Sequence, residues 1–89
     1  MRDDARQVIA RRLALEVEAS WYEYSRATKE FNDIIHEVPS GLPHPDGAVR
    51  IAQAGRESRR TLDLYSTALH RYSEFVLHGV TPKDLEEPE

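Results

Sequence analysis

Apolar residues recur at intervals of three and four through two long stretches, about residues 3 to 38 and 46 to 78. That period belongs to an α-helix and not to the two-residue alternation of a strand. In the first stretch Val17, Tyr24, Phe31 and Val38 lie seven apart, with Leu13, Ser20, Ala27 and Ile34 midway between them and Ala14, Trp21, Thr28 and Ile35 alongside. In the second, Ile51, Ser58, Tyr65 and Tyr72 repeat the seam, flanked by Ala54, Thr61, Ala68 and Phe75 and by Gly55, Leu62, Leu69 and Val76. Each stripe is wider than a bare two-stranded seam and predicts a helix of a bundle.

Local chemistry sets the predicted ends. The prolines fall in the connector 39–46 and in the tail 79–89, so neither periodic stretch contains one. Asp3 or Asp4 can cap the first helix, and Asp46 the second, each placing negative charge at a positive helix pole. Gly79 follows the last periodic residue and can take the left-handed conformation that ends a helix. Thr81-Pro82-Lys83-Asp84 predicts a new cap with proline in the first helical position, hence a short turn carrying Leu85. Glu86 to Glu89 are expected to fray. Within the connector, Leu42-Pro43-His44-Pro45 is expected to form a stiff turn with Leu42 tucked over the end of the helices.

A connector this short forces the helices antiparallel, with residues whose numbers sum to about 84 side by side. Bulky Tyr24, Thr28 and Phe31 then face Ala54, Gly55 and Ser58, while Tyr65, Leu69 and Tyr72 face Ala10, Ala14 and Ser20. Large against small lets the faces interdigitate. Charge agrees with the same register: residues 13–37 hold six acids against Arg26 and Lys29, and residues 47–71 hold five arginines against Glu57 and Asp63. A fainter pattern relates the halves at an offset of 41, with Tyr24-Ser25-x-Ala27-x3-Phe31-x2-Ile34-Ile35 matching Tyr65-Ser66-x-Ala68-x3-Tyr72-x2-Phe75-Val76. Duplication of a helix would produce it, and so would two amphipathic helices of equal period.

A hairpin shields one stripe on each helix, and this chain has more apolar residues than that seam can use. Val8, Leu15 and Tyr22 are spaced by seven with Ala19 between the last two, and Leu64 and Leu77 also lie off the main seam. A second stripe implies a second neighbour. The expected fold is therefore an all-α antiparallel helical hairpin in one domain, residues 1–89, that closes into a four-helix bundle as a homodimer. The expected interface comprises Val8, Leu15, Ala19, Trp21, Tyr22, Leu64 and Leu77. A different protein partner could occupy the same surface.

Composition narrows the chemistry. There is no cysteine among the 89 residues, which removes disulfides, thiolate metal sites and a cysteine nucleophile. A formal charge of −4 argues against a dedicated nucleic-acid binder, despite the cluster Arg56, Arg59 and Arg60. Arg2, Asp3, Asp4, Arg6, Arg11 and Arg12 interrupt any signal-peptide core, and no run reaches the ~20 apolar residues of a membrane span. A cytoplasmic protein with no membrane partner is expected.

Candidate sites were weighed against plainer readings. Asp33-Ile34-Ile35-His36 approximates a di-metal motif, and His70, Glu74 and His78 share a helical face that could meet a zinc ion, but both sets point to solvent if Phe31 and Ile34 are core. The serines lack a nucleophile elbow, and Ser20 and Ser58 are read as bonded back to a preceding carbonyl. The aromatic residues could line a ligand cavity, and are more simply core and dimer contact. No catalytic residue, metal ligand or cofactor site is assigned. The expected function is a small non-enzymatic interaction, scaffold or regulatory protein; the alternatives are a ligand- or metal-binding bundle and a nucleic-acid-associated accessory protein.

Overall fold

A computed structural model describes residues 2–37 and 45–86 of the chain. Helix α1 runs over Arg2–Glu37 and α2 over Pro45–His78, packed as a hairpin, and a 3-10 turn follows at Lys83–Leu85. The expectations for the connector, Leu42 over the helix ends included, lie outside the described residues, as does the fraying expected of residues 87–89. Because α1 already includes Arg2, Asp3 and Asp4 fall inside its first turn instead of ahead of it. Asp46 is likewise the second residue of α2, with Pro45 in the first helical position, where a missing N–H costs nothing.

The buried residues follow one heptad position on each helix: Leu13, Ala27 and Ile34 on α1, and Thr61, Ala68 and Phe75 on α2. Three cross-helix contacts define the register. Trp21 meets Tyr65, Thr28 meets Ser58, and Phe31 meets Gly55, and in every pair the residue numbers add to 86. This is two residues from the sum of about 84 expected from the short connector. Phe31 against Gly55 and Thr28 against Ser58 keep the anticipated pairing of large and small. Tyr65 does not: its ring centroid lies 5.1 Å from Trp21 and 6.2 Å from Tyr24, stacked on the latter at an interplanar angle of 4°. Ring–ring attraction thus takes the place of a ring over small residues.

Polar residues in the seam satisfy themselves locally. Ser20 Oγ donates to the Val17 carbonyl at 3.0 Å, and Thr61 Oγ1 to the Ser58 carbonyl at 2.8 Å. Ser58 departs from the back-bonded role expected of it, because its hydroxyl pairs across the seam with that of Thr28 at 3.3 Å.

Helix α2 stops at Gly79, whose φ of +70° lies in the left-handed region. The Gly79 N–H reaches the Phe75 carbonyl at 3.0 Å and the Val80 N–H reaches that of Glu74 at 3.1 Å, so two terminal carbonyls are satisfied. Pro82 then occupies the cap position of the 3-10 turn, not its first helical position, and Thr81 makes no capping bond; the Leu85 N–H closes the turn onto the Pro82 carbonyl at 2.9 Å.

Candidate interaction surface

The two long sides of the hairpin differ in chemistry. On one, acids of α1 meet arginines of α2: Glu16 with Arg71 at 3.3 Å, and Glu37 with Arg50 at 3.8 Å. Arg71 is the most engaged of these residues. Its guanidinium also holds Asp84 through two hydrogen bonds of 2.8 and 3.0 Å, tying α1, α2 and the 3-10 turn together. The Arg71 hydrogen bond holds the Asp84 carboxyl below its ordinary value, and Asp84 in turn raises that of Arg71. Arg71 Nε is buried without a partner, a cost accepted where the fork is fully committed on its other two nitrogens. Nothing in residue spacing separates Arg71 from its neighbouring arginines; its partner Asp84 is 13 residues away and meets it only because the chain reverses after Gly79.

Other ion pairs are local to one helix. Arg60 grips Glu57 at 2.7 and 3.1 Å, which lowers the Glu57 carboxyl and raises Arg60, while Arg26 pairs with Glu23 at 2.9 Å and is raised by it. These pairs sit at solvated edges of a single helix, where each contributes little.

The opposite side is apolar. Trp21 and Ile35 of α1 and Leu62, Leu69 and Val76 of α2 are exposed there, Trp21 by 51%, beside half-buried Tyr24, Phe31 and Tyr65. Every seventh residue from Gln7 to Ile35, and from Ala48 to Val76, is uncharged.

The residues singled out from sequence are distributed over separate surfaces. Val8, Leu15 and Ala19 share an open groove of about 710 Å³ along α1, edged by Asp4, Arg11 and Arg12. Tyr22 lies farther along the same outward face, 67% exposed. Ala19 and Leu64 meet in a second groove on the charged side, which ends at Arg71 and Asp84. Trp21 belongs to the apolar side, and Leu77 is exposed by 73%. The missed residues Ile35, Leu62, Leu69 and Val76 were legible as the outer flank of the heptad seam; their regular spacing placed them in the core rather than beside it.

Among the described residues, no three histidine, aspartate or glutamate side chains are grouped so as to hold a metal ion. His36 spends its Nδ1–H on the Asn32 carbonyl at 2.6 Å. No helix among the described residues is long and apolar enough to cross a membrane. Comparison with known proteins finds no family model, no curated protein and no solved structure that matches the chain.

Proposed function

We propose that this chain is a small non-enzymatic interaction protein that works through helix–helix association, first of all with a second copy of itself. One observation carries the reading. The chain exposes 7203 Å², whereas a folded monomer of its mass is expected to expose ~5,300 Å². Its radius of gyration is 18.6 Å against ~12 Å for a compact domain of this length. The hairpin is a rod of 63 × 19 × 18 Å, one helix thick in each layer, and Leu13 and Thr61 are its largest wholly buried side chains. A second layer of two helices would convert that rod into a four-helix bundle with an interior of its own.

Coupled folding and association has a mass-action signature. The thermal unfolding midpoint of the full chain rises with protein concentration if a dimer is the folded species. Circular dichroism melts across a hundred-fold range of concentration are expected to show that rise, and a fully helical chain whose midpoint is independent of concentration refutes self-association.

A further inference from the structure

We infer that the second copy docks on the apolar side bearing Trp21, Ile35, Leu62, Leu69 and Val76, with the two hairpins running in opposite directions about a two-fold axis near the middle of that side. This rests on the self-association proposed above and deepens it by assigning the surface.

Three observations select the side. First, uncharged residues fill its whole length, at every seventh position of both helices, whereas the other long side is crossed by Glu16–Arg71 and Glu37–Arg50 and needs water to solvate them. Burying these uncharged positions carries no desolvation penalty for ions. Second, the rod is long enough for a stable contact: a full side of 63 by 19 Å, its edges included, is on the order of 1,000 Å², against the ~800 Å² per partner of a stable interface. The grooved outward face of α1 is bordered by Asp4, Arg11, Arg12 and Glu16. Third, the rim nearest the apolar positions is small or neutral over much of its length, with Ser25 and Asn32 on α1 and Ala52, Ser66 and Ser73 on α2; charged members of the same rows, Arg11, Glu18 and Arg59, have long side chains that can reach water past a second layer.

Charge fits the opposed orientation. The start of α1 carries Arg6, Arg11 and Arg12 against Asp4, and its far end carries Glu30, Asp33 and Glu37 against Lys29. Opposed hairpins related by a two-fold axis lay each α1 on the partner's α1 and bring the basic start of one to the acidic end of the other. The Trp21–Tyr65 pair, near mid-length, then lies close to the two-fold axis. Because the contact is isologous, each copy offers the same patch and the assembly closes at two chains.

Light scattering on three full-length chains tests the assignment. Wild type is expected at about twice 10.2 kDa and Leu62→Glu/Leu69→Glu at about 10.2 kDa, with Leu15→Glu/Tyr22→Glu remaining at the dimer mass. A wild-type monomer removes the self-association reading itself. A dimer that survives Leu62→Glu/Leu69→Glu and is lost in Leu15→Glu/Tyr22→Glu leaves that reading standing and overturns the assigned side. Should the Glu variant fail to fold, cysteine cross-linking decides, since the natural chain has no cysteine. Leu62→Cys/Leu69→Cys places two thiols ~10.5 Å apart on one helix, too far to join within a chain. Mild oxidation at micromolar concentration is expected to yield a covalent dimer from this variant and little from Leu15→Cys/Tyr22→Cys; the reverse yield contradicts the proposal.

Discussion

Among the described residues, Leu13 and Thr61 are the largest side chains withdrawn wholly from solvent. Leu13→Ala removes buried methyl groups and leaves a cavity between α1 and α2, so denaturant unfolding is expected to show a loss of about 3 kcal/mol. Gly55 within α2 and Gly79 at its cap behave oppositely. Gly79 holds φ at +70°, and Gly79→Ala is expected to cost about 1 kcal/mol because a Cβ disfavours that conformation. Gly55 is helical, and a Cβ there would meet Phe31 at 3.4 Å, an ordinary contact. Gly55→Ala is therefore expected to raise stability by up to about 1 kcal/mol through helix propensity alone, read from the same titration. Loss of stability in Gly55→Ala would mean that Phe31 packs more tightly on this glycine than the 3.4 Å approach allows.

At the scale of elements, the fold is the consequence of period and punctuation. Two proline-free stretches with a wide apolar stripe become α1 and α2, and Gly79 ends the second where the periodicity ends. The repeat at offset 41 is visible in burial, since Ala27 and Ala68 and likewise Ile34 and Phe75 are buried at equivalent heptad positions. The 3-10 turn depends on a different interaction. Asp84 is held ionised by Arg71, so its contribution is present above the ordinary carboxylate value near 4 and is lost as pH falls through its lowered value in the folded chain. Amide hydrogen exchange at Leu85 and Glu86 should accelerate relative to the body of α2 when the solution is taken below about pH 4, and Asp84→Asn should show that acceleration already at neutral pH. Unchanged protection in Asp84→Asn would assign the docking of the turn to half-buried Leu85 alone.

That element also shows where sequence reading stopped. Periodicity reports which residues share a helical face, so helix identity, antiparallel pairing and the meeting of Phe31 with Gly55 were legible. It does not report small axial shifts between helices, and a shift of two residues brought Tyr65 onto Trp21 and Tyr24 instead of onto small side chains. Nor does it separate a residue in the seam from one on its flank. Leu62, Leu69 and Val76 read as core because nothing local distinguishes them from Thr61, Ala68 and Phe75, and only the packed pair shows which row is covered. The Arg71–Asp84 link is invisible for a different reason, since it joins two segments through a reversal that spacing does not encode.

At the scale of the whole molecule, the rod exposes more surface and encloses less interior than a compact domain of its mass. Absence of cysteine removes covalent reinforcement, so additional stability has to come from packing. In the proposed dimer a second hairpin on the apolar side would supply it while leaving the ion-paired side in water. The outward groove along Val8 and Leu15 stays open in that assembly and is not needed to close it. The most direct test of this account is the solution mass of the full-length chain by sedimentation equilibrium. A single species near twice 10.2 kDa is the predicted result, and a stably folded, fully helical species at 10.2 kDa would contradict it.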